Sequence, residues 1–160
     1  MANTLPQLIE EDVQVLNDVL SELLEKSDAS AALVIDIGGF LICSQGDSRK
    51  FDLTTIAALT SGAYMANQTI ANLIHETSFE SVYQQGEKFS TFARCIDDQC
   101  LLVVIFKAQV SVGVVKYFSA PTCKQIADQM QTARERDPGV GLDLSELNLA
   151  DTSDLFKRKM

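Results

Sequence analysis

The stretch LVIDIGGFLICSQG, residues 33–46, places two adjacent glycines between two short apolar runs. The runs are residues 32–37 and 40–44, and only Gly38 and Gly39 separate them. Glycine accepts the positive φ angles of a type I′ or II′ turn, so the pattern predicts a β-hairpin with a two-residue turn. A phosphate-binding loop is the alternative, but it requires GxxxxGK[ST] or three spaced glycines, and neither motif follows here.

Helical periodicity flanks this hairpin on both sides. An apolar stripe with steps of three and four residues precedes it, formed by Ile9, Val13, Leu16, Leu20 and Leu23. Thr4 and Gln7 have capping-box spacing ahead of the stripe and predict the start of a first helix. After the hairpin, Asp52 is the expected N-cap of a second helix that runs to about Ile74.

The second half of the chain predicts three strands and a last helix. The strands are expected at residues 77–85, 88–96 and 100–107, with tight turns between them. The last strand begins with CLLVVIF, which does not alternate in polarity and so predicts a central strand covered on both faces. The third helix is expected over residues 113–136. Pro121 within it predicts either a kink near Tyr117 or a restart with Ser119 as N-cap.

The predicted order of elements is therefore α-β-β-α-β-β-β-α. Such an order favours an α+β sandwich, in which a five-stranded antiparallel sheet has helices on both faces. We expect this domain to occupy residues 1–136. Residues 137–160 begin with helix breakers and carry isolated leucines among acids. They predict a flexible acidic and amphipathic tail, disordered in the free protein and ordered on a partner.

Composition restricts the classes of function. The 160 residues are 46% hydrophobic and carry a formal net charge of −9, which disfavours nucleic acid or an anionic membrane as the main partner. The N-terminal residues do not have the pattern of a signal peptide, and a cytoplasmic location is expected. The four cysteines, Cys43, Cys95, Cys100 and Cys123, form no CxxC pair and are expected to be reduced and largely buried.

The second predicted helix has an unusual composition. From residue 53 to residue 75 there is no Asp, Glu, Lys or Arg. One face is expected to face the core, through Ile56, Leu59, Ala63, Ala66, Ile70 and Leu73. The opposite face should be solvated, yet it offers Thr54, Ala58, Ser61, Gly62 and Met65. Interface cores are depleted in charge in the same way, so these five residues are the predicted partner-binding site. Burial of the whole helix within its own subunit is the alternative.

The sequence offers little support for an enzyme. His75 is the only histidine, and no metal-ligand or nucleophile motif surrounds it. A dyad of Cys95 with His75 is the alternative, because such partners meet only in the fold. The acidic pairs at 10–11 and 97–98 are most simply solvated charges. We therefore predict no catalytic residue, no cofactor and no metal site.

An exposed sheet edge predicts self-association. Residues 79–84, FESVYQ, have little edge protection beyond Glu80. Pairing of this strand with its copy would remove the exposed edge, and it would place the two second helices side by side. The predicted dimer interface consists of Phe79, Ser81, Val82 and Tyr83.

Several of these segments together resemble the Roadblock dynein-light-chain family. They are the N-terminal stripe, the hairpin LVIDIGGFLI, the helix IAALTSGAYMANQTIANLI, the strand block GEKFSTFARCIDDQCLLVVIF and the following SVGVVKYF. The likeness covers about residues 8–136. The length and C-terminal extension are most similar to a bacterial branch of that family, the MglB proteins.

The resemblance implies a function that composition and spacing do not show. Members of the family are dimers that bind Ras-like small GTPases, and MglB proteins act as GTPase-activating partners of the polarity GTPase MglA. We therefore expect a homodimeric, non-enzymatic regulator of a Ras-like small GTPase, of the GTPase-activating or effector type, in cell polarity or motility. A structural adaptor that does not distinguish nucleotide states is the alternative.

Overall fold

The computed structural model describes residues 5–136. It contains three helices and five strands in the order predicted from the sequence. The elements are α1 (Glu10–Ser27), β1 (Ala31–Asp36), β2 (Leu41–Gly46), α2 (Leu53–Leu73), β3 (Ser81–Gln84), β4 (Phe89–Cys95), β5 (Cys100–Lys107) and α3 (Val112–Glu135). The predicted tail at residues 137–160 and Thr4 of the predicted capping box lie outside the described residues.

The five strands form one antiparallel sheet in the order β2-β1-β5-β4-β3. Strand β5 is central, and all its residues from Cys100 to Phe106 are buried, as the unbroken apolar run predicted. Leu102 and Val104 face the cluster that α1 and α3 contribute to, whereas Leu101 and Val103 face α2. The predicted sandwich with helices on both faces is confirmed.

The β1–β2 hairpin forms, but its turn differs from the predicted one. Strand β1 ends at Asp36 and β2 begins at Leu41, so four residues connect them instead of two. Gly39 has φ +96°, whereas Gly38 is not in the positive region. The Asp36 side chain explains the wider turn, because its Oδ1 accepts the Phe40 N–H at 2.8 Å while the Asp36 N–H donates to the Phe40 carbonyl at 2.9 Å.

Helix α1 begins later than the predicted capping box at Thr4 and Gln7, and that prediction is wrong. The N-cap is Ile9, and the Asp12 carboxylate accepts the Ile9 N–H at 2.8 Å. An acid three residues after the N-cap therefore bonds the N–H of the N-cap residue itself. Leu16 and the later members of the predicted apolar stripe are fully buried.

Helix α3 runs through Pro121 without a break, so the predicted restart at Ser119 is wrong. Its N-cap is Ser111, whose hydroxyl accepts the Gly113 N–H at 3.2 Å. Ser119 is buried within the helix and donates its hydroxyl to the Val115 carbonyl. The carbonyl that Pro121 leaves without a donor belongs to Tyr117, an exposed residue, where water can bond to it.

Candidate protein interaction site

Helix α2 turns a different face to the sheet from the one predicted. Its N-cap is Asp52, as expected, with the side chain accepting the Thr55 N–H at 3.2 Å. Its buried residues are Leu53, Ala57, Ser61, Tyr64 and Ala71. In the predicted core stripe, Leu59 is 69% exposed and Leu73 is 74% exposed. The predicted core face is therefore wrong for Leu59, Ile70 and Leu73, although Ile56 does pack against the core. Small side chains and Tyr64 contact the sheet in their place.

The five predicted partner-binding residues divide accordingly. Thr54, Ala58, Gly62 and Met65 are exposed, and a Cβ added at Gly62 would meet no heavy atom within 4 Å. Ser61 is buried, and its hydroxyl donates to the Ile37 carbonyl of the β1–β2 turn at 2.5 Å. Its exposure was wrongly predicted, because the turn folds over this side of the helix.

The turn extends the exposed side of α2. A Cβ added at Gly39 would lie 3.1 Å from the Ala58 Cα, so glycine allows the turn to lie directly against the helix. The next residue, Phe40, is 75% exposed although the Asp36 bonds fix its backbone. We call Thr54, Ala58, Gly62, Met65 and Phe40 the hairpin-side surface. Sequence reasoning missed Phe40 because it placed this residue in a strand.

A second uncharged surface lies on the other side of α2. There, an open groove of about 180 Å³ separates the helix from the edge of the sheet. Leu59, Thr60, Ala63 and Asn67 line it from α2, and Val82 and Gln84 line it from β3. Ile70, on the same side of α2 by helical spacing, is about half exposed. We call this groove with Leu59 and Ile70 the edge-side surface.

Strand β3 is an edge of the sheet, as the dimer prediction requires. It starts at Ser81, so the predicted strand at residues 77–85 is too long and Phe79 precedes the strand. The Phe79 carbonyl instead accepts the Gln68 side-chain amide of α2 at 3.3 Å. Val82 lines the groove, whereas Tyr83 stacks on Phe106 on the opposite face of the sheet.

The candidate nucleophile is not activated by histidine. The Cys95 thiol donates to the Asp97 carbonyl at 3.0 Å and lies beside the Tyr64 hydroxyl, whereas His75 is exposed just after α2. Burial raises the Cys95 pKa. The other three thiols, Cys43, Cys100 and Cys123, are buried as predicted, and burial raises the pKa of each to about 12. A thiol with a raised pKa is a poor nucleophile at neutral pH.

Residues 5–136 contain neither a candidate metal site nor a candidate membrane-spanning helix. No group of three or more His, Cys, Asp or Glu side chains there could hold a metal ion. In the same range, no helix has both the length and the apolar character needed to cross a membrane.

An α-β-β-α-β-β-β-α sandwich with an uncharged helix beside an open sheet edge is the architecture of a Roadblock-type domain. A family model for the Roadblock/LC7 domain matches residues 15–106, more than half of the chain, and the chain belongs to this family. No curated protein sequence matches the chain.

Solved MglB structures are similar over most of the chain. Myxococcus xanthus MglB has 27% sequence identity and a TM-score of 0.75, over 81% of this chain and 98% of that one. The gliding protein MglB from Thermus thermophilus has 26% identity and a TM-score of 0.74, over 79% and 96%. An MglB with a tetrameric arrangement has 26% identity and a TM-score of 0.76, over 80% and 96%.

Proposed function

We propose that this protein is a non-enzymatic regulator of a Ras-like small GTPase and acts in the cytoplasm as a homodimer. The observation that carries the proposal is α2, which has no charged residue and still exposes Leu59, Met65, Ile70 and Leu73. Exposed apolar side chains on one helix, without charges between them, are typical of protein interfaces. One of the similar proteins, MglB from Thermus thermophilus, is a gliding protein, and this likeness supports a role in motility or polarity.

The two surfaces of α2 suit two different contacts. The edge-side surface adjoins β3, whose unpaired backbone groups favour pairing with a second copy. The hairpin-side surface lies on the other side of the helix, where it stays free in such a dimer and is available to the GTPase. Helix α2 offers no arginine for insertion into a nucleotide site. We therefore infer that the protein acts by ordering the switch loops of its partner.

Nucleotide-dependent binding tests this function directly. Each Ras-like GTPase of the same organism is loaded with GDP or with a non-hydrolysable GTP analogue, and its affinity for the purified full-length chain is measured. A regulator of the effector or GTPase-activating type should prefer the GTP form by tenfold or more. Equal affinity for both forms would favour the alternative, an adaptor, and binding to neither form would reject the proposed function.

Self-association makes a second prediction. We expect light scattering to give twice the 17.5 kDa mass of one chain at micromolar concentration. Leu59→Glu should shift the protein to the monomer, because the carboxylate would be desolvated between two α2 helices. Leu59 is largely exposed in the single chain, so its replacement should not disturb folding.

Tyr117→Glu is the matched control for this experiment. Tyr117 is similarly exposed, but it lies on α3, on the opposite layer from α2. Its acidic variant should remain a dimer. A Leu59→Glu variant that is still dimeric, or a wild-type protein of monomer mass, would contradict the proposed edge-side contact.

A further inference from the structure

A series of hydrogen bonds crosses one end of the sheet and connects α3 with α2. The Arg134 guanidinium donates to Asp97 Oδ2 at 3.1 Å, and Asp97 Oδ1 accepts the Gln99 N–H at 2.8 Å. The Gln99 carbonyl accepts the Ile37 N–H at 2.8 Å. The Ile37 carbonyl in turn accepts the Ser61 hydroxyl of α2. Helices on opposite faces of the sheet are thus joined through the β4–β5 turn and the β1–β2 turn.

Asp97 is the branch point of this series. Both of its carboxylate oxygens are used, and its backbone carbonyl accepts the Cys95 thiol, which lies beside Tyr64 of α2. The Arg134 and Asp97 side chains are only 25% and 19% exposed, so solvent screens their attraction less than that of a surface pair. The acidic pair at 97–98 was expected to be solvated, and this expectation is wrong for Asp97. The neighbouring Asp98 is exposed, and within residues 5–136 it makes no hydrogen bond or ion pair.

We propose that Asp97 is a positioning residue for the hairpin-side surface, which it never touches. It fixes the β4–β5 turn, and the Gln99 carbonyl of that turn fixes the β1–β2 turn. The β1–β2 turn places Gly39 against Ala58 of α2, with the exposed Phe40 next to it. A surface fixed before binding avoids the entropy cost of ordering the turn when the partner docks. The inference deepens the proposed function, because the partner of this surface is the small GTPase.

Amide hydrogen exchange tests the positioning in the free protein. In Asp97→Ala, the Ile37 amide should exchange at least tenfold faster than in the wild type, because its acceptor Gln99 is no longer held. The β5 amides should keep their protection. Asp98→Ala removes the same group from the same turn and should leave Ile37 unchanged. Unchanged exchange at Ile37 in Asp97→Ala would overturn the proposal, as would an equal acceleration across β5, which indicates general destabilisation.

A second test measures the affinity of Asp97 and Ser61 variants for the partner. Asp97→Ala and Ser61→Ala should each weaken binding of the GTP-loaded GTPase about tenfold, and Asp98→Ala should bind like the wild type. The Asp97→Ala/Ser61→Ala double variant should bind no more weakly than the weaker single variant, because both act through one series of contacts. Full additivity would overturn the proposal. If the wild type binds no small GTPase, the proposed function fails, and the exchange arm still decides the role of Asp97.

Discussion

Replacing Gly62 with arginine should weaken binding of the GTP-loaded partner by at least roughly 30-fold while leaving the dimer folded. Nothing lies within 4 Å of a Cβ at this position, so the new side chain fits the free protein and reaches water. Arginine also has a higher helix propensity than glycine, by up to about 1 kcal/mol in a helix interior. In the complex, the same arginine would occupy a closely packed contact as an unpaired charge, at a cost of roughly 2–4 kcal/mol of binding.

Isothermal titration, thermal unfolding and light scattering on one preparation separate the possible outcomes. Ala120→Arg on α3 is the matched control, since Ala120 is a small, exposed helical residue on the opposite layer, and this variant should bind normally. Ala58→Arg should weaken binding as Gly62→Arg does. A Gly62→Arg variant that binds normally would remove this residue from the partner site. One that unfolds or becomes monomeric would show that the position serves the fold or the dimer.

Local chemistry was enough to predict the fold. The continuous apolar run of β5 identified the central strand, and Asp52 at the start of α2 is an N-cap by its own side-chain geometry. Both signals depend on a few neighbouring residues, so they do not depend on contacts with distant parts of the chain. The errors at the ends of elements have local causes too, such as the Asp36 carboxylate that widens the β1–β2 turn.

The orientation of α2 could not be predicted for a physical reason. A helix usually marks its solvated face with charges, and residues 53–75 have none. Without charges, the sequence did not identify which side of the helix faces solvent, and the larger aliphatic residues were assigned to the core. The choice depends on Ser61, which bonds the β1–β2 turn, and on Gly39, which lets that turn approach Ala58. These contacts join residues that lie far apart in the sequence, and periodicity contains no information about them.

Asp12 was missed for the same reason, although it should carry the largest effect on stability. It is fully buried, and its carboxylate accepts two bonds from Arg136 at 2.7 and 2.8 Å and one from Gln129 at 2.7 Å. Asp12→Ala would leave these donors and the Ile9 N–H without their acceptor. Breaking a buried ion pair costs about 3–5 kcal/mol, and we expect about 3 because Arg136 is partly exposed and can recover water.

Urea unfolding measures this loss, with Glu10→Ala as the control. Glu10 is an exposed carboxylate in the same first turn of α1, so removing it should cost less than about 1 kcal/mol through the helix dipole. If both variants lost the same small amount of stability, the Asp12–Arg136 contact would contribute little to the fold. A loss confined to Asp12→Ala would show that this pair fixes the end of α3 against the start of α1.

The same contact predicts how stability depends on pH. The Arg136 hydrogen bonds are the main reason why the Asp12 pKa falls to about 2, whereas a carboxyl of this type in the unfolded chain titrates near its ordinary value of about 4. A lowered folded-state pKa means that the stabilisation is complete above about pH 4 and is lost as pH falls through about 2.

The free energy of unfolding of the wild type should therefore exceed that of Asp12→Asn by a constant amount between about pH 5 and 7. This difference should shrink steadily between about pH 4 and 2, because protonated Asp12 is as neutral as asparagine. A difference as large near pH 2 as at neutral pH would mean that shape, and not the charge of the carboxylate, holds the two helix ends together.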